Sequence, residues 1–115
     1  MKKRVMTKWV AALRSGKYTQ ATGALRKAGD SFCCLGVLCD IIDPTKWDAR
    51  PGIEWYYDGR RELLPESIVE KASLRTDDGY CDTGPEWGET LATLNDEGAT
   101  FSELAELIEQ NWKHL

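Results

Sequence analysis

Cys33, Cys34 and Cys39 fall within seven residues, with Cys81 further along, and thiols this close together raise the questions of metal, disulfide and nucleophile. A zinc site places its paired ligands as C-x2-4-C, whereas Cys33 and Cys34 are adjacent and four residues separate Cys34 from Cys39. On a helix, Cys34 and Cys39 point in different directions. A thiol nucleophile needs a neighbouring base, and the single histidine, His114, lies far along the chain. Packing of reduced thiols is therefore the expectation, with no catalytic residue, no metal site and no cofactor assigned. Carboxylates are the next candidates. Asp77-Asp78 with Asp82, or Asn95-Asp96-Glu97, have the types for acid–base or magnesium chemistry, but Asp77-Asp78-Gly79 lacks the alternation of a calcium loop. Asn95 and Asp96 sit where one helix ends and the next begins, which fits either a ligand contact or a capping turn.

Neither phosphate-binding glycine fingerprint is present. What residues 14–26 offer instead is a connection rich in bases and hydroxyls. Arg14, Lys17, Gln20 and Arg26 are the candidate anion site, since charge-assisted bonds to phosphate oxygens need such donors; an ordinary polar surface is the alternative. Five tryptophans in 115 residues is a high count. Trp47, Trp55, Tyr56 and Tyr57 cluster near Arg60 and Arg61, so Trp55 or Tyr57 is a candidate to cover a base, against the alternative of a second small core.

The balance of 15 basic and 19 acidic side chains is -4, and the pI is near 5.0. This disfavours long nucleic acid as a partner. The total hides an asymmetry: residues 1–30 hold eight bases against one acid, a balance of +7, and residues 31–115 hold seven against eighteen, or -11. Either the halves attract each other across one fold or the basic third binds an anion. With 42% hydrophobic and 30% charged residues, the composition is that of a globular chain with one modest core. The basic start lacks the apolar stretch of a secretory signal, and the longest mainly apolar run, residues 31–39, is too short to span a bilayer. A cytoplasmic protein with reduced thiols is expected.

The elements that must position these residues follow from periodicity. Val5, Trp9, Val10 and Leu13 predict a helix over 3–15, ended by Gly16. Residues 25–32 read as a hairpin turning at Ala28-Gly29-Asp30-Ser31, and 33–43 as a buried helix stopping before Pro44. Asp58-Gly59 signals a type I′ turn, with 55–57 and 60–64 as its two arms. Pro65 opens a helix burying Ile68, Val69 and Ala72, residues 75–88 form a loop around Tyr80, Cys81 and Trp87, and a short helix covers 89–95. Thr100 and Glu103 make a capping-box pattern for a last helix burying Leu104, Leu107, Ile108 and Trp112. The expected fold is a single α+β domain, 1–115, with four to five helices and two short antiparallel hairpins.

The run Trp9-Val10-Ala11-Ala12-Leu13-Arg14-Ser15-Gly16-Lys17-Tyr18-Thr19-Gln20 resembles the opening of short uncharacterised proteins of tailed bacteriophages and prophages. Phe32-Cys33-Cys34-Leu35-Gly36-Val37-Leu38-Cys39-Asp40 is similar to their most distinctive motif, and Leu91-Ala92-Thr93-Leu94-Asn95-Asp96 with Gly98 to their ending. The resemblance implies a phage setting, in the cytoplasm of the bacterial host, and no particular reaction. Small acidic accessory proteins of phages commonly resemble, in role, blockers of host defence, and the resemblance implies such a role here. The reading that results is a non-enzymatic accessory protein that sequesters a phosphorylated small ligand such as a nucleotide signal. The alternative is an inhibitor whose acidic surface covers a host defence or nucleic-acid enzyme.

Overall fold

Apolar residues at three-to-four spacing near the start of the chain form helix α1, Lys3–Arg14, whose Met6, Trp9, Val10 and Leu13 are buried. Gly16 follows with a φ of 75°, the left-handed conformation that ends a helix without a Cβ penalty. The computed structural model describes residues 1–52, 54–81 and 89–115. Among them are five α-helices and five strands in two small sheets, an α+β fold. Its Cα radius of gyration, 13.0 Å, is that of one folded unit of this length.

Three two-residue strands, β1 (Thr19–Gln20), β2 (Arg26–Lys27) and β3 (Ser31–Phe32), form a sheet in the order β1-β3-β2. β2 and β3 are the hairpin expected from the Ala28–Ser31 turn, where Gly29 and Asp30 take positive φ. β1 joins β3 in parallel, which two residues of sequence do not announce. Helix α2, Cys34–Ile42, runs on from β3, with Cys34 through Cys39 all buried. Cys33 caps it by accepting from the Gly36 amide through Sγ at 3.4 Å.

The second hairpin differs from the expectation. Strand β5 (Glu54–Tyr57) pairs with β4 (Trp47–Arg50), in register Trp47 to Tyr57 and Arg50 to Glu54. Asp58 and Gly59 do adopt positive φ, and the Tyr57 and Arg60 backbones exchange bonds of 2.8 and 2.9 Å, but pairing stops there. The residues expected to form the returning arm have other partners: the Arg61 carbonyl accepts from Leu25 N, and Leu64 N donates to Asp77 O. Trp47–Arg50 was the better partner because Pro51-Gly52, itself a turn signal, folds it back onto β5.

α3 (Glu66–Ala72) buries Ile68 and Ala72, and α4 (Leu91–Asp96) is capped by Thr90. α5 (Phe101–Asn111) carries the complete Thr100–Glu103 capping box. It buries Leu104 and Ile108 as expected, while Leu107 and Trp112 are half-buried. α1 lies across α5 and α2, and α4 packs on α2 and α5. Trp87 and Asp82 of the expected 75–88 loop lie outside the described residues. Among the described residues no helix is long and apolar enough to cross a membrane.

One close approach sets the position of α2 against the first sheet. A Cβ placed on Gly36 would lie 1.8 Å from the Leu25 carbonyl oxygen, an atom of backbone that also accepts from Cys33 N at 3.2 Å. Gly36→Ala therefore forces the β2 hairpin off the helix. Urea unfolding should register a loss of about 3 kcal/mol or more, at the upper end of overpacking costs.

Candidate functional site

The predicted site residues divide into three groups once placed. Gln20, Asn95 and Asp96 meet, but as a structural joint. The Asn95 carboxamide is buried; its Oδ1 accepts from Gln20 Nε2 at 2.9 Å and from the Cys34 amide at 3.1 Å. Its Nδ2 donates to the Ala21 carbonyl at 2.9 Å and to Asp96 Oδ1 at 3.2 Å. Gln20 donates again to Ala99 O, and Asp96 accepts from the Gly23 amide at 2.9 Å. These donors and acceptors are occupied by the protein itself.

Arg14 and Lys17 stand apart from Arg26. Arg14 closes α1 onto α5 through an ion pair with Glu109 at 3.2 Å, and Lys17 is exposed with its amide bonded to Ser15 Oγ. Tyr57 is fully buried, and its hydroxyl donates to the Asp43 carbonyl at 2.9 Å, so it has no face to offer a base. Burial raises the Tyr57 hydroxyl pKa well beyond the ordinary range, as expected of a core phenol.

Arg26 and Trp55 do come together. The guanidinium of Arg26 sits 3.7 Å over the Trp55 ring and 5.0 and 5.3 Å from the Phe32 and Trp47 rings. Phe32, Trp47, Trp55 and Tyr57 touch edge to face, with Tyr18 against Phe32. The Asp40 carboxylate accepts from Tyr18 Oη at 2.6 Å and Trp47 Nε1 at 3.0 Å, fixing both rings. Burial and this bond push the Tyr18 hydroxyl up to about 12. Phe32 and Tyr57 thus belong to the main core, Tyr18 and Trp47 pack against it, and the rings join the two hairpins, with Arg26 lying over three of them. Arg26 also pairs with Asp30, while its Nε is buried with no hydrogen-bond partner among the described residues.

Above this joint lies a cleft between the hairpin turns. One half, about 400 Å³, is lined by Arg26, Lys27, Ala28, Ser31, Gly52, Glu54 and Arg61. The other, about 450 Å³, is lined by the Trp55 ring with Ala28, Gly29, Asp30, Ala49, Arg50, Pro51 and Gly52. They share Ala28 and Gly52; the first half is mostly basic, and the adjoining half is walled mainly by small residues and Trp55, with Asp30 and Arg50 at its edge. Arg61 is held by Glu62 at 3.3 Å and Glu54 at 3.9 Å, and Lys27 is exposed without an ion pair among the described residues. Lys27 and Arg50 are not among the residues expected at a site, and Arg61 enters that expectation only as a neighbour of the aromatic cluster. The signal for the first two was their place beside turn dipeptides, Lys27 before Ala28-Gly29 and Arg50 before Pro51-Gly52.

The thiols lie elsewhere. All four cysteines are buried; burial pushes Cys33 up to about 11 and holds Cys34 and Cys39 well above the ordinary value, so these three are thiols rather than nucleophilic thiolates. Over residues 1–112 the chain matches the family described as a domain of unknown function, DUF8296, and belongs to it. No curated protein and no solved structure matches it.

The Asn95 joint makes its own prediction. Asn95→Asp keeps the shape but replaces the donor to Ala21 O with a carboxylate oxygen and sets that charge beside Asp96. Stability should fall by about 2–4 kcal/mol at neutral pH. Because burial raises the introduced carboxyl's pKa, the deficit should shrink as pH falls and the group takes up its proton, a trend that Asn95→Ala would not share; denaturant unfolding across pH reads both.

Proposed function

We propose that this member of the DUF8296 family is a non-enzymatic accessory protein of a tailed phage or prophage, acting in the bacterial host's cytoplasm, that binds and sequesters a phosphorylated small ligand of nucleotide size. The observation that carries this reading is the pairing of a basic half-cleft with a half-cleft that has Trp55 in its wall, the two sharing Ala28 and Gly52. Phosphate oxygens suit Lys27, Arg61 and the rim of Arg26, because fixed guanidinium and ammonium donors form charge-assisted bonds in that geometry. A planar ring suits the Trp55 side, where stacking contributes about 1–3 kcal/mol. Each half is within the usual size of small-molecule sites. The acids on the lining, Glu54 and Asp30, already have basic partners in Arg61 and Arg26, so a phosphate competes with them for those cations. Of the original candidates, Arg26 and Trp55 retain a place in this reading; Arg14, Lys17, Gln20, Tyr57, Asn95 and Asp96 do not.

A second reading, occlusion of a basic site on a host enzyme, draws on α5, where Glu103, Glu106 and Glu109 are all exposed along one helix. Glu109 is partly spoken for by Arg14.

The test is direct. Protein purified from bacteria should carry a nucleotide-like absorbance that is released on denaturation, or should take up a member of a panel of nucleoside mono-, di- and triphosphates and cyclic oligonucleotides. Lys27→Ala/Arg61→Ala should weaken that binding by about tenfold or more while leaving the melting temperature nearly unchanged, since both side chains are at the surface. Arg26→Ala should lower the melting temperature, because it removes the cation from three rings. A ligand-free protein indifferent to the whole panel would overturn the reading.

A further inference from the structure

Three of the eight bases of residues 1–30 line a pocket that shares no residue with the cleft. Of the eight bases in residues 1–30, only Arg14 pairs with an acid from beyond residue 30 among the described residues. Lys2, Arg4 and Lys8, from the start of α1, converge with Lys71 of α3 around a pocket of about 300 Å³, floored by Val5, Ile41 and Ile42. No carboxylate lines it, and none of the four cations forms an ion pair among the described residues. Lys71 acts across space on Asp43 and Asp58, and neither of those lines the pocket.

This arrangement runs against local stability. Acids stabilise the first turn of a helix and bases oppose its dipole, yet α1 begins with Lys3 and Arg4, has no acid in its first turn, and has an N-cap, Lys2, without a side-chain cap bond. Arg4 and Lys8 stand four residues apart on the helix, a like-charge pair that costs about 0.2–0.5 kcal/mol. An anion in the pocket would offset both penalties. The floor adds a second requirement. Val5, Ile41 and Ile42 are half-buried aliphatic side chains, which an inorganic ion would leave partly wet and a hydrocarbon segment would cover.

We propose that the pocket between α1, α2 and α3 is a binding site for a phosphate monoester with an aliphatic body, its phosphate among Lys2, Arg4, Lys8 and Lys71 and its chain on Val5, Ile41 and Ile42. Phosphate fits better than carboxylate because it carries close to two charges and three acceptor oxygens for several separate donors. The site shares no lining residue with the cleft between the hairpins, so it stands or falls independently of the proposed function.

Titration calorimetry with hexyl phosphate, inorganic phosphate, hexanoate and hexanol separates the contributions. Hexyl phosphate should bind at least about tenfold more tightly than any of the other three, and more weakly as salt rises. Arg4→Gln/Lys8→Gln, at exposed positions, should lower its affinity by about tenfold or more without loss of thermal stability, while Lys27→Ala/Arg61→Ala should leave it unchanged. Ile42→Asn should erase the preference for hexyl over inorganic phosphate. Equal affinity for both phosphates, or indifference to the Arg4/Lys8 substitution, would overturn the proposal. So would capture on phosphatidic acid vesicles without uptake of the soluble ester, which would make the face a membrane-surface contact.

Discussion

The buried carboxamide of Asn95 is the group on which the rest of the fold is hung. A buried amide without partners costs several kcal/mol, and this one is matched on both atoms: two donors reach its oxygen and its nitrogen reaches two acceptors. Its partners come from the end of β1, the first residue of α2 and its own helix α4. It therefore ties the end of β1 to the contact that α2 and α4 make with each other. The amide it accepts from, Cys34 N, belongs to the first turn of α2, a place where a helix has backbone donors without partners of its own. Trp9 Nε1 takes the Cys34 carbonyl at 2.9 Å, so α1 is tied to the same turn. The most apolar helix in the molecule is thus held at its start by polar bonds and along its length by packing.

Where sequence periodicity speaks, it speaks about helices. α1, α2, α3 and α5 follow from apolar spacing, Pro65, Gly16 and the Thr100–Glu103 box, because each of those signals acts within a few residues of itself. The sheets are harder for the opposite reason. Strands of two to four residues carry almost no alternation, and their partners are chosen by which backbone groups remain unclaimed. Arg60–Leu64 failed as a strand because Leu25 and Asp77 had already engaged its backbone. The parallel partner of β3 depends on a loop closure around β2 that no local pattern encodes.

The site residues show the same division. Charge type and turn chemistry pointed to the basic third and to the tryptophans, and the contact of Arg26 with Trp55 joins the two. What sequence could not supply was the direction of each side chain. Gln20, Asn95 and Asp96 look like ligand contacts because they are polar and lie at helix junctions, but the same properties suit them to satisfy buried backbone groups. Tyr57 alternates inward at the end of β5, where it meets α2. The cations at the start of α1 were visible all along as bases in the one turn of a helix where bases are unfavourable, and that conflict, rather than their number, distinguishes them.

The joint at Asn95 also orders events in time. Cys34 is separated by 61 residues from the oxygen that accepts its amide proton, and Ala21 by 74 from the nitrogen that donates to its carbonyl. A chain emerging from a ribosome exposes its eight early bases and its α2 thiols before either partner exists. The first 30 residues carry a balance of +7, and the acids that follow bring the running total to zero by residue 95. Native closure of α2 waits on Asn95, and by the time that residue exists the early positive balance has been cancelled by the acids between them.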